Sequence, residues 1–183
     1  MRVPRSTDRR VVRTREALRD ALIALMVERG WDEVGIRDVC ARANVGRSTF
    51  YTHFADKEEL LLSGFEDLQR MLRSAGRVGG RTPLAFTRGL LEHAHDNKRM
   101  FRALVGKRSS QVAQTRFLQL VVELTREDLA GMAETTVQYV AGAFFQLLIW
   151  WVDSRSPFSP EEIDVIFRRL TAPVLAESRR EHA

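Results

Sequence analysis

Between Ile36 and Phe54 the chain carries two short runs of helical spacing with only Asn44-Val45-Gly46 between them. The first, 36–43, turns Ile36, Val39 and Cys40 to one side. The second, 47–54, puts Phe50 and Phe54 one turn apart on a shared face and leaves Arg47, Ser48, Tyr51 and Thr52 on the other. Asparagine tolerates positive φ better than most residues with a side chain, so Asn44 can end the first helix in a tight turn. Gly46 is an acceptable N-cap for the second. A helix, a tight turn and a second short helix bearing polar and aromatic side chains make helix-turn-helix geometry, in which the second helix enters the major groove of DNA.

The rest of the chain is helical by the same criterion. Strand-like alternation is scarce, only 5 prolines and 11 glycines are present, and apolar residues recur at spacings of three and four. A first helix is predicted over 11–29, with Leu18, Ala21, Leu22 and Leu25 on one face and Gly30 as its C-terminal stop. A fourth opens at Asp56, an N-cap with Glu59 placed to reach back in a capping box, and continues through Leu61, Phe65, Leu68 and Leu72. Ser74 to Gly80 reads as a linker. Thr82-Pro83 then supplies a cap and a first helical proline. Further helices are predicted over 98–105, 109–129, 134–152 and 160–177. The last opens with a second capping box at Ser159 and Glu162, and Pro173 should bend or shorten its final turn. The fold expected is all-α, about nine helices. It divides into a basic arm (1–10), a helix-turn-helix domain (11–55), a connecting helix and linker (56–80) and a helical bundle (81–183).

The formal charge of +5 is concentrated at the N-terminus. Arg2, Arg5, Arg9, Arg10, Arg13 and Arg15 face Asp8 alone, whereas residues 81–183 are nearly balanced. A basic end on a neutral body suits a polyanion partner, although charge alone fits a solvated tail as well. Cys40 is the single cysteine, which excludes an intramolecular disulfide and suits a reducing compartment, here the cytoplasm. No apolar run of signal-peptide length follows the N-terminal arginines. The stretch from Val137 to Val152 is interrupted by Gln138 and Gln146 and is shorter than the ~20 residues of a spanning helix. It reads as a buried helix of a soluble protein, with no membrane partner.

No P-loop, dinucleotide turn, nucleophile elbow or zinc spacing is present, so nothing nominates an enzyme, a metal or a cofactor. His93 and His95 lie two apart and point to different sides of a helix. Cys40, at a small apolar position, reads as a buried inert thiol.

The segment Gly30 to Leu62 closely resembles the DNA-binding domain of TetR-family regulators. The matching features are Gly30-Trp31, Ile36-Arg37-Asp38-Val39, Ala43-Asn44-Val45, Thr49-Phe50-Tyr51, His53-Phe54 and Lys57-Glu58-Glu59-Leu60. Three positions depart from the pattern: Gly35 in place of the usual hydroxyl cap, Asn44 in place of the turn glycine, and Gly46 in place of a serine cap. The resemblance implies base reading by Arg47, Ser48 and Thr52. It implies phosphate contacts by Thr49, Tyr51, His53 and Lys57, with Arg37 at the groove edge. His53 fits a packing role between helices equally well.

In the bundle, the segment 137–151 is apolar nearly all round and must be covered on more than one side, one of them by a partner subunit. The family implies a two-fold dimer built on the last two helices. The interface expected comprises Val137, Val140, Ala141, Phe144, Phe145, Leu148, Ile163, Ile166, Phe167 and Leu170. It also implies a cavity for an unidentified small-molecule effector, for which Phe86, Leu90, Phe101, Phe117, Leu120, Phe144, Leu148 and Trp151 are candidate lining residues; each also fits a plain core position. Residues from Asn97 through Trp151 are similar to a C-terminal subtype that leaves control by a protein partner open. The function implied is a dimeric repressor released from a palindromic double-stranded operator by an effector. An activator, or a regulator governed by a protein partner, is the alternative. A helical interaction module without specific DNA binding is the rival from another class.

Overall fold

Glycine and asparagine cut the N-terminal third into helices whose apolar faces then close on one another. The computed structural model describes residues 6–78, 83–107, 109–154 and 156–180, apart from the side chains of 6–8 and 75–78. These residues form nine helices and divide into two compact units, Met1–Phe65 and Glu66–Ala183. The first contains α1 (Ser6–Arg29), α2 (Ile36–Ala43), α3 (Arg47–His53) and the start of α4 (Lys57–Val78). The second contains the rest of α4 with α5 (Phe86–Asp96), α6 (Lys98–Val105), α7 (Gln111–Asp128), α8 (Glu134–Asp153) and α9 (Pro160–Arg180).

In the first unit Leu18, Leu22, Leu25 and Met26 of α1 bury against Val39, Phe50, Phe54 and Leu60. Gly30, at φ 84°, ends α1 and donates its N–H to the Met26 carbonyl at 2.9 Å, and Trp31 is buried behind it. Two boundaries differ from the sequence reading. Helix α1 begins at Ser6 rather than Val11, so residues 6–10 of the expected arm are helical; residues 1–5 lie outside the description. Helix α3 ends at His53, because Phe54 turns extended at φ −146° and ψ 136°.

In the second unit α7 packs along α8 and α5 along α9, with α6 against α7 and α8. Phe86, Phe101, Phe117, Phe144 and Trp151 fill the centre. The linker expected over 74–80 is helical as far as Val78; Gly79 and Gly80 lie outside the description. Arg73 pairs with Glu127 of α7, and Gln69 donates to Glu123 at 2.8 Å, so the end of α4 is held on this unit. Helix α5 starts at Phe86, not at Pro83, because Leu84 takes φ 61° and breaks the helical path; Thr82 is not described. Helix α7 starts at Gln111 rather than at 109, with the Ser110 hydroxyl capping it by accepting the Ala113 N–H. The Ser159–Glu162 capping box forms, the two residues exchanging bonds reciprocally; at Asp56 only half of the expected box forms, because Asp56 accepts the Glu59 N–H while the Glu59 carboxylate accepts from the Ala55 amide, one residue before the cap. Helix α9 continues through Pro173 to Arg180.

Helix α8 is longer than the apolar stretch that signals it, because Glu134 and Asp153 extend it at the ends. By length and composition it could cross a membrane, but half of that window is buried inside the unit. Its packing corrects the expected interface. Val137, Val140, Ala141, Phe144, Phe145, Leu148, Ile163 and Phe167 all lie in the core of this unit, where the neighbouring helices already cover them. Only Leu170, 66% exposed, and the half-buried Ile166 remain from the predicted set.

Candidate nucleic-acid interface

The position of α3 is set from beneath. Phe50 is fully buried, its ring 5.9 Å from Phe54 and edge-on to Tyr51 at 5.4 Å, and the Arg15 guanidinium lies 4.6 Å over Phe54. Helix α2 is tied to the end of α1 by a two-pronged pair, Arg42 to Glu28 at 2.9 and 2.7 Å. Arg42's hydrogen bonds hold the Glu28 carboxyl below its usual range. Asn44 adopts φ 53° and ψ 46°, the left-handed turn expected of it, and Val45 donates back to the Cys40 carbonyl at 3.0 Å. Gly35 has no side chain to cap α2, and Asp38 compensates in part by accepting the Gly35 N–H at 3.0 Å. Burial pushes the Cys40 thiol up, with the charge of Arg47 offsetting part of the shift, which suits an unreactive thiol.

This scaffold presents Arg37, Arg47, Ser48, Thr49, Tyr51 and Thr52 as exposed side chains. Tyr51 is 52% exposed although its ring edge touches the core, so its hydroxyl is directed outward on a fixed stem. The Thr52 hydroxyl donates to the Ser48 carbonyl at 3.0 Å, leaving its oxygen lone pairs and methyl for a partner. His53 is half-buried with its ring 6.4 Å from Phe54. Lys57 is placed differently from the reading by resemblance. Its ammonium donates to the Trp31 and Val34 carbonyls at 2.8 and 2.9 Å and sits 4.4 Å over the Trp31 ring. Lys57 therefore pins the α1–α2 connection to the start of α4. Nothing in its sequence neighbourhood signals this, since the carbonyls it caps are more than twenty residues away.

Residues 18–63 match the model for bacterial regulatory proteins of the tetR family, and residues 81–172 match that for a transcriptional regulator C-terminal region. The chain belongs to the TetR family. A solved TetR transcriptional regulator from Streptococcus agalactiae 2603V shares 26% identity over 90% of this chain and 97% of that one, with a TM-score of 0.70. RolR, solved in complex with resorcinol, has the same fold at 21% identity, covering 94% of each chain with a TM-score of 0.59. An uncharacterized HTH-type transcriptional regulator of Bacillus subtilis (strain 168), YxbF, is 49% identical over 55 residues; that segment is 30% of this chain and 14% of that relative. TetR-family regulators are DNA-binding proteins rather than enzymes.

The second unit of this TetR-family chain holds the eight residues read as possible cavity lining. All are buried, and several rings touch: Phe86 with Phe144 at 5.9 Å, Phe101 with Phe117 at 5.7 Å, and Phe144 with Phe167 at 5.0 Å. They are packed core in this conformation. Two open clefts, one beside Pro83 and Ser178 and one beside Arg10 and Val45, involve none of them. His93, edge-on to Phe101, is held below its usual pKa by burial.

Proposed function

We propose that this regulator acts as a homodimeric repressor in the cytoplasm, released from a palindromic operator by an effector. The observation that carries DNA reading is α3, whose apolar side is locked by Phe50 while Arg47, Ser48 and Thr52 stand clear. Arginine at such a position reads a guanine edge, and threonine offers a hydroxyl to a base edge and a methyl to thymine. Arg37, Thr49, Tyr51 and His53 serve as backbone contacts that set the register. Lys57, with two protons committed to carbonyls, contributes to DNA binding mainly by fixing the domain.

Dimerisation is supported by the outer faces of α8 and α9. Tyr139, Gly142, Ala143, Gln146, Leu147 and Trp150 follow one another at helical spacing on α8, with Tyr139 61% and Trp150 42% exposed. A Cβ built on Gly142 would meet nothing within 4 Å. On α9, Ile166, Leu170, Pro173 and Val174 share a face. Apolar residues on one strip of two neighbouring helices suit a two-fold, self-complementary contact. Such a dimer places two copies of α3 in successive major grooves, ~34–36 Å apart. The effector reading rests on the family and on the resorcinol held by RolR. A ligand entering the aromatic core must open it, favouring one of two states by its differential affinity.

In vitro selection from random duplexes tests this reading. Enrichment of a palindrome is the expected result. Recovery of a single unpaired site, or of no consensus, overturns it.

A further inference from the structure

The basic side chains of the first unit fall into two groups. Arg15 lies over Phe54, Arg19 donates to the Ser63 carbonyl, Arg42 pairs with Glu28, Arg29 lies 4.0 Å from Asp38, and Lys57 caps two carbonyls. These five hold the fold. Arg9, Arg10, Arg13, Arg37 and Arg47 are exposed, and among the described residues none of them makes a side-chain hydrogen bond or ion pair. Arg37 and Arg47 belong to the helix-turn-helix. The other three do not, and are unaccounted for.

Their placement is organised rather than tail-like. Helix α1 runs back to Ser6, so Arg9, Arg10 and Arg13 stand on a regular helix. Together with Thr14 and Ala17 they form one wall of an open cleft of about 650 Å³, whose other wall is Ala43 and Val45. Ala43 and Val45 flank Asn44 in the turn that delivers α3, so the cleft opens beside the end of α3 that carries Arg47. From Ala17 back to Arg9 is eight residues, or ~12 Å at 1.5 Å per residue. That equals the width of the major groove, ~12 Å. With α3 in the groove, guanidinium groups that wall the cleft beside the turn that delivers α3 lie within a groove's width of it, in reach of the phosphates that border the groove. Uncompensated arginines spaced along a helix suit phosphate oxygens, to which a guanidinium donates in a fixed fork.

We propose that Arg9, Arg10 and Arg13 form a phosphate clamp that grips the DNA backbone outside the bases read by α3, making the footprint longer than the sequence-specific half-site. This rests on the DNA-binding reading above. It does not require the palindrome.

The test compares the wild type with Arg9→Ala/Arg10→Ala/Arg13→Ala, in which alanine keeps α1 helical, and with the corresponding triple lysine variant. Affinity is measured against salt on a selected duplex with long flanks, on the same duplex trimmed to the consensus, and on a random duplex. Each neutralised phosphate contributes ~0.9 to the log–log salt slope. The alanine variant should lose about 2.7 per half-site on the long duplex, at unchanged preference for consensus over random sequence. Lysine should restore most of that slope, and trimming should bring the wild type down to the alanine variant. An unchanged slope overturns the clamp, as does a loss confined to one base position or an equal loss on the trimmed duplex. If selection yields no palindrome, the slope difference on random duplex still decides the clamp; failure of the wild type to bind any duplex overturns both readings. Far-ultraviolet circular dichroism that reveals a shortened α1 in the alanine variant would attribute any loss to folding and count against the clamp, unless the lysine variant recovers both helix and slope.

Discussion

Arg168→Met should destabilise the second unit by about 2–3 kcal/mol, and the reason is local to five groups. Asp164 is 6% exposed and accepts the Arg168 Nε–H at 2.7 Å, with the Thr87 hydroxyl at 2.5 Å on its other oxygen. The same guanidinium donates to the Pro83 and Leu84 carbonyls at 2.9 and 2.6 Å. Leu84 sits at φ 61°, a conformation that costs a residue with a side chain ~1–2 kcal/mol, and the guanidinium helps to hold it there. Removing one partner of a fully buried ion pair costs ~3–5 kcal/mol. The Arg168 side chain is 30% exposed, so water replaces part of what is lost and the cost falls to about 2–3 kcal/mol. The assay is urea unfolding in a Trp31→Phe background, where the remaining tryptophans, Trp150 and Trp151, report on the second unit alone. At a slope of ~1–3 kcal/mol/M the midpoint should fall by roughly 0.7–3 M. Asp164→Asn in the same background should be milder, and the double variant should cost at least ~1 kcal/mol less than the sum. A midpoint shift corresponding to under ~0.5 kcal/mol, or strict additivity, would refute the argument that a buried charge is being left unpaired.

Asn44→Val should cost the first unit ~1–2 kcal/mol, because a β-branched side chain is placed at φ 53°, while Asn44→Gly should be neutral or stabilising; thermal melts of the two variants followed by circular dichroism separate them. Glu134, hydrogen-bonded by Arg126 and Gln138, is lowered from 4.5 to about 2. A depressed carboxyl stabilises the fold above its unfolded value and loses that contribution as pH falls through its folded value. The stability difference between wild type and Glu134→Gln should therefore be constant above about pH 5 and vanish between pH 4.5 and about 2; persistence of the difference below that window would rule the ion pair out as its source. Leu170→Asp should sediment as a monomer while retaining its circular dichroism spectrum, and an intact dimer would move the interface elsewhere. Arg47→Ala should relax selection at one base position by ~1–3 kcal/mol, whereas a uniform loss across sequences would assign it to the backbone.

The elements of the helix-turn-helix were legible because what sets them is local. Gly30 at φ 84° and Asn44 at φ 53° end their helices, and Phe50 and Phe54 mark the buried side of α3 by spacing alone. The boundaries of α2 and α6 follow in the same way, and the Ser159–Glu162 capping box reads directly from residues three apart. Three things were not legible. Lys57 caps carbonyls at Trp31 and Val34, Leu84 is driven to positive φ where Arg168 from a distant helix binds its carbonyl, and α4 outlasts Gly76 because Arg73 and Gln69 are held by α7. The clearest case is α8. A helix apolar on every side carries no record of which side faces inward, so its sequence determined that it would be covered but not by what. Burying Val137, Val140, Phe144 and Leu148 against α7 and α9 settled the inner face, and only then did Tyr139, Ala143 and Trp150 emerge as the face left exposed.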